Sequence, residues 1–345
     1  MQTTHIVIKT EKDIDGVKQA AEVLTSGGLV AIPTETVYGL AADTYNVEAV
    51  RNIFKAKGRP QDNPLIVHIS DMEMLGDLCE SIPDGALKLA EAYWPGPLTM
   101  VLPKSDKVPS EISAGLSTVA VRFPKNPVAR AIIAAANTPL AAPSANLSGS
   151  PSPTSAEHCV RDLEGRVEAI VISGDSEVGL ESTVISLCEN PPRLLRPGAV
   201  TVEMLKDVLG EITVDKAVTA QPEEGKPVAS PGMKYKHYSP ETRVILIEAS
   251  SEEYINYVNA RADEGVFALC FSEDVKGLQL PFVEYGSEAA DETQAAGLFS
   301  ALRELDDKGA KIAYAHSPKL SGVGLAVYNR LIRAAGFEVV KLGNK

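Results

Sequence analysis

The sequence predicts an α/β protein built from two units, on three observations. From residue 14 to residue 209, apolar residues recur in turn at helical spacing and in short strand-length runs. From about Thr213 to Pro240 that pattern stops, in a stretch that contains Pro and Gly and is poor in aliphatic residues. After Pro240 it restarts as a regular strand–helix alternation, the signature of a small parallel sheet. At 345 residues the chain is long enough for two cores. The expected layout is an open twisted α/β sheet unit over 1–212, a linker over 213–240, and a smaller Rossmann-like parallel α/β unit over 241–345.

Ile14, Val17, Ala21 and Leu24 stand on one helical face, and Gly27-Gly28 supplies a stop. A short strand over Leu29 to Ile32 leads into the loop P-T-E-T-V-Y-G-L, residues 33–40. Val50, Ile53 and Phe54 define a second helix, from Val47 to about Ala56, closed by Gly58, and residues 65–69 read as a buried strand. Further strands are expected at 98–102, 119–123, 167–172 and 183–187. Helices are expected at 127–137, with Asn126 as cap and Pro127 in the first turn, and at 155–163 and 201–209. In the second unit, strands at 243–247, 266–271, 311–315 and 337–342 alternate with helices at 252–263, near 288–305, and at 325–335.

Composition narrows the function classes. No apolar run approaches the roughly 20 residues that span a bilayer. Acids interrupt the first thirty residues (Glu11, Asp13, Asp15), so no secretory leader is expected and the cytoplasm is the expected location. Four scattered cysteines without a C-x-x-C pair suit a reducing compartment and argue against structural zinc. The net charge is −13, and residues 241–345 carry 16 acids against 11 bases. Stable nucleic-acid binding is therefore not expected. Residues 51–59 are the exception, with Arg51, Lys55, Lys57 and Arg59 and no acid.

No P-loop is present, and the lone Gly322-Val323-Gly324 fits a tight turn opening the last helix. Anions can instead be held by separate cations and hydroxyls. In K-A-K-G-R-P-Q-D-N-P, complementing a helix dipole accounts for Lys55, but not for Arg59, Asn63 and His68 following closely into a buried strand. A guanidinium, an amide and an imidazole at a strand edge suit anion recognition. In A-A-P-S-A-N-L-S-G-S-P, Ser144, Asn146, Ser148 and Ser150, with Ser152 just beyond, fit ordinary turn chemistry, and equally a backbone that a phosphate can approach closely. G-L-E-S-T-V-I (179–185) and L-L-R-P-G-A (194–199) are weaker alone.

Their order along the chain carries more than any one of them. P-T-E-T-V-Y-G-L, K-x-R-P-x-x-N-P-L-x-V-H, W-P-G-P-L-T, V-A-V-R-x-P, A-P-S-A-N-x-S-G, E-S-T-V and R-P-G-A together resemble the YrdC/YwlC family, the L-threonylcarbamoyladenylate synthases. The tail S-P-G-M-K-Y-K-H-Y-S-P and the later G-V-G-L-A-V-Y-N-R resemble its long two-domain form, with a YrdC-like first unit. The resemblance implies a nucleotidyltransferase that condenses L-threonine, bicarbonate and ATP, with Mg²⁺ on the phosphates, into threonylcarbamoyl-AMP and pyrophosphate. That product serves a downstream tRNA threonylcarbamoyltransferase complex. It places Thr36, His68, Arg122 and Ser182 around threonine, and Arg59, Asn63, Thr118, Ser144, Ser152, Arg196 and Ser230 around ATP. Lys57 and Asn146 complete the K-x-R and S-x-N sets with Arg59 and Ser144, which are expected to be catalytic. Tyr235, His237 and Tyr238 of the linker suggest a lid. Two other readings stay open: an RNA-binding or regulatory module that uses the 51–59 cations, and a relative that moves a carbamoyl group from another donor.

Overall fold

Helix ends follow capping chemistry. A computed structural model describes residues 2–221 and 238–343. In it, the Asn46 side chain accepts the Ala49 amide and opens Val47–Lys57, which Gly58 closes in the left-handed region at φ 62°. Asn126 accepts the amides of Val128 and Ala129 ahead of Pro127–Ala136. Ser155 and Thr201 cap Ala156–Leu163 and Val202–Leu209 in the same way. The first helix runs Ile14–Thr25 and buries Val17, Ala20, Ala21 and Leu24.

Among the described residues the chain forms two sheets, one of eleven strands and one of five. The large sheet is mixed and spans Thr4–Val7 to Thr213–Val214 in sequence. Its centre runs Gly39–Asp43, Leu140–Ala141, Ile66–His68, Thr118–Arg122, Leu98–Pro103, Thr183–Ser186. Side chains alternate across it. Val30 and Ile32 face a core with the Ile14–Thr25 and Pro127–Ala136 helices, while Ala31 faces the opposite one, with Val50, Ile53 and Phe54. The expected 33–40 loop ends early, because Gly39–Asp43 is a strand antiparallel to Val30–Ile32. Its sequence, G-L-A-A-D, holds no β-branched or aromatic residue, so only its burial between neighbouring strands makes it a strand.

The five-stranded sheet is wholly parallel, in the order Phe282–Glu284, Val266–Cys270, Ile312–His316, Arg243–Glu248, Val339–Lys341. Helix Ser251–Asn259 covers one face, and Asp291–Asp307 with Gly324–Ala334 cover the other. The apolar cluster under those two helices takes in Val37 and Leu180 from the first unit. The two cores are therefore joined. Gly179, at φ 76°, marks how close they come: a Cβ there would stand 2.5 Å from the Ala295 carbonyl oxygen. The chain returns across this junction at Ser239, whose amide donates to the Gly149 carbonyl at 2.8 Å.

Candidate functional site

Strand register brings several buried polar side chains together. His68 pairs with Arg122, and Arg122 with Thr99, on adjoining strands. Leu98, beside Thr99, pairs with Thr183, beside Ser182. Cross-strand neighbours lie about 5 Å apart, so His68, Arg122, Thr99 and Ser182 converge at one end of the sheet. His68, Arg122 and Ser182 meet residues of the 34–39 segment, Pro143-Ser144, Arg59, Glu181, Arg196 and Tyr238 around a cleft of about 590 Å³, part of it open to solvent.

At one end Arg122 is buried and fixed. Its Nη1 donates to the Thr36 hydroxyl at 2.6 Å, and its Nε lies 3.4 Å from the Gly96 carbonyl. Its Nη2 sits 2.8 Å from Glu35 Oε1 without hydrogen-bond alignment, so donor capacity remains on that nitrogen. Glu35 accepts the amides of Lys125 at 2.9 Å and Asn126 at 3.3 Å. Burial pushes its carboxyl pKa up, but the Arg122 guanidinium and the Lys125 amide outweigh that, and the net shift is downward. A buried carboxylate thus holds the guanidinium toward the cleft.

Burial first, and Arg122 second, hold the His68 imidazole down to about pKa 3. It is neutral at physiological pH. The unfolded chain binds this proton below about pH 6.5 and the fold does not, so stability is lost as pH falls from there toward 3. His158, held down to about 4 chiefly by burial, acts in the same direction. Between about pH 7.5 and about pH 5, a His68→Asn variant is expected to lose ~2 kcal/mol less unfolding free energy than the unaltered chain. Denaturant titrations at both pH values check this.

At the other end Arg196 is bound to Ser182, Nε to the carbonyl at 3.0 Å and Nη2 to the hydroxyl at 3.2 Å. The Ser182 hydroxyl also lies 2.7 Å from that of Thr99. Gly198 lets the R-P-G turn approach: a Cβ there would stand 2.4 Å from the Thr183 nitrogen. Opposite them, the Ser144 hydroxyl donates to Asn146 Oδ1, while Asn146 Nδ2 donates to the carbonyls of Leu147 at 2.7 Å and Ser150 at 2.9 Å.

Lys57 and Asn146, expected as catalytic groups, are not among the cleft-lining residues. The Lys57 ammonium is buried on the carbonyls of Ser144 and Asn146, and the Ser148 amide returns a bond to the Lys57 carbonyl. The K-x-R and S-x-N segments are therefore one construction, with Lys57 its strut. Burial and then Arg59 hold the Lys57 pKa down to about 7. Lys57→Met leaves two carbonyls without their donor and is expected to destabilise the chain by about 2–4 kcal/mol, read from chemical denaturation.

Asn63, Thr118 and Ser152 also stand outside the cleft wall. Asn63 is buried, with no hydrogen bond to Oδ1 among the described residues, and Arg59 Nη2 donates to its carbonyl and that of Pro64. Thr118 lies four residues before Arg122, on the same side of the strand. Ser152 is buried and donates to Glu181. Of the linker residues, Tyr238 lines the cleft and rests against Phe299, with ring centroids 5.3 Å apart. Ser230, Tyr235 and His237 lie outside the described residues. Glu35 and Glu181 sit inside the motifs P-T-E-T and E-S-T-V, yet the sequence reading gave neither a role.

The 51–59 cations are engaged within the chain, and Arg59 lines the cleft. Arg51 pairs with Glu48 at 2.6 Å and Glu111 at 2.8 Å, Lys55 donates to Asn52, and Lys57 is buried.

Known proteins match this architecture across both units. The family model described as "Telomere recombination" matches residues 22–198, and the one described as "Threonylcarbamoyl-AMP synthase, C-terminal domain" matches 200–336. The threonylcarbamoyl-AMP synthase of Bacillus subtilis is 46% identical, over 94% of each chain. That of Pyrococcus abyssi is 44% identical, over 98% of this chain and 99% of its own. The crystal structure of P. abyssi Sua5 complexed with L-threonine superimposes with a TM-score of 0.91 at 41% identity, covering 99% of this chain and 100% of that one. With both units matched in order and relatives aligned along nearly their whole length, the chain belongs to the threonylcarbamoyl-AMP synthase family.

Proposed function

We propose that the chain is a threonylcarbamoyl-AMP synthase, a nucleotidyltransferase that joins L-threonine, bicarbonate and ATP and releases pyrophosphate. The observation that carries this reading is the convergence of Arg59, Arg122 and Arg196 on one cleft, beside a neutral His68. A fixed guanidinium with spare donor capacity suits the threonine carboxylate, and the cations with the Ser144 segment suit a triphosphate. Thr36, His68, Arg122 and Ser182 are thus read as the threonine end. Arg59, Ser144 and Arg196 are read as the ATP end, with Lys57, Asn146, Asn63 and Ser152 supporting it from behind and Thr118 at its margin.

The reaction then needs no covalent enzyme intermediate. The threonine amine attacks carbon dioxide derived from bicarbonate and loses a proton to give a carbamate. A carbamate oxygen attacks the α-phosphorus of ATP, and pyrophosphate departs with the electrons of the broken P–O bond. Positioning and charge stabilisation supply most of the catalysis in such a transfer. Mg²⁺ arrives with ATP. Glu181 is the one carboxylate among the described cleft-lining residues and is already engaged, so phosphate oxygens and water would supply most of the ion's ligands. The product, a reactive mixed anhydride, suits handover to a tRNA threonylcarbamoyltransferase complex.

Incubation with ATP, labelled threonine and bicarbonate tests this. Pyrophosphate release should require threonine and stop without bicarbonate, and label should appear in an adenylated product. ATP turnover indifferent to threonine would overturn the reading.

A further inference from the structure

The G-V-G-L-A-V-Y-N-R segment of the second unit ends at Arg330, a fully buried arginine. Its guanidinium is spent mostly on the first unit. Nε donates to Glu181 Oε2 at 3.0 Å, Nη2 to the Glu181 carbonyl at 3.1 Å, and Nη1 to the Pro197 carbonyl at 2.6 Å. One further bond, from Nη1 to Asn329 Oδ1 at 3.1 Å, stays on its own helix. Asn329 and Arg333 flank it and hold the carbonyls of Val218 and Ala217.

Glu181 is where this matters. It lines the cleft immediately before Ser182, and its Oε1 accepts the Ser152 hydroxyl. Burial raises its carboxyl pKa, but Arg330 first and Arg196 second outweigh that, and the group stays ionised. A carboxylate in that position, left without its guanidinium, would repel a triphosphate at close range through a medium of low dielectric. The Arg330 bond to Pro197 also ties the segment carrying Ser182 to the segment carrying Arg196.

We infer that Arg330 is a positioning residue of the adenylation reaction: reaching across the unit junction, it neutralises Glu181 so that the cleft accepts the polyphosphate of ATP. The inference rests on the reading of this cleft as the ATP site.

The test uses the full chain and pyrophosphate release, with ATP titrated at saturating threonine and bicarbonate, then threonine titrated at saturating ATP. Arg330→Met is expected to raise the ATP KM about tenfold or more and to leave the threonine KM within about twofold. Removing both charges, in Glu181→Gln with Arg330→Met, is expected to bring the ATP KM back within about threefold of the unaltered chain. Deleting a buried pair whole also restores stability, so the selectivity is what separates the roles: an arginine that served only as a structural anchor would change the threonine KM and kcat along with the ATP KM. An unchanged ATP KM in Arg330→Met, or a double variant as impaired as the single, overturns the inference. Should Arg330→Met not fold, Arg330→Gln takes its place, on the same tenfold and threefold criteria. Arg59→Ala and Arg196→Ala are measured alongside. If both leave the ATP KM unchanged, ATP binds elsewhere and the cleft reading itself fails. If both raise it while Arg330→Met does not, only the role of Arg330 falls.

Discussion

Arg122→Ala is expected to reduce kcat/KM for threonine by about 10²–10³-fold and to destabilise the chain by about 3–5 kcal/mol. The two effects have separate origins. The loss of activity follows from removing the cation that, in the proposed reaction, holds the substrate carboxylate while the amine is carboxylated. The loss of stability follows from Glu35, whose carboxylate is 4% exposed and would keep two amide donors but lose its countercharge. A companion variant, Glu35→Gln with Arg122→Met, removes both charges together. It should recover much of the stability and none of the turnover, because a buried pair costs little to delete whole and much to halve. Arg122→Lys keeps the charge but not the forked geometry, and should fall between the two in activity. Steady-state kinetics with threonine titrated, paired with denaturant unfolding of each variant, separates the effects. A threonine KM in Arg122→Ala within about threefold of the unaltered chain would remove this arginine from the threonine site.

Capping residues made much of the fold legible in advance. Asn126 with Pro127, and Gly58, mark helix ends predicted from residue type alone, while Asn46, Ser155 and Thr201 cap by the same side-chain bond one residue ahead of their helices. Gly39–Asp43 had no such signal, since its strand pairing depends on partners as distant as Leu140 and Ala141. The motifs marked the site segments, but spacing reports only that residues are near one another. It does not say whether a donor points to a ligand or to a carbonyl. Lys57 shows the difference: a motif cation beside the cleft, its ammonium satisfied by backbone. Glu35 and Glu181 were overlooked because an acid in an anion-binding motif has no evident task until its arginine is seen. Those arginines stand 87 and 149 residues away, at Arg122 and Arg330. Long-range pairing of this kind leaves no periodic trace in a sequence.

Arg303→Ala is expected to cost about 3–5 kcal/mol and to loosen the junction of the two units. Arg303, on Asp291–Asp307, grips Asp162 with two bonds, at 2.9 Å and 2.7 Å, and donates a third to the Pro151 carbonyl at 2.6 Å. Both side chains are nine-tenths or more buried, so truncation strands a carboxylate in a dry interface. Arg161–Asp307, in the same junction, joins the same two helices in solvent, each side chain about half exposed. Asp307→Ala should therefore cost less than about 1 kcal/mol. The contrast is the test: one junction, two arginine–aspartate pairs, opposite burial. Asp162 carries a further consequence, since its charge helps keep Lys57 protonated, and Lys57 holds the Ser144–Asn146 segment. An Asp162 released from Arg303 can turn away from Lys57 and withdraw that support. Unfolding of Arg303→Ala should accordingly be accompanied by a raised ATP KM, which Asp307→Ala should not show. Equal losses of stability in the two variants would mean that burial does not set the strength of this junction.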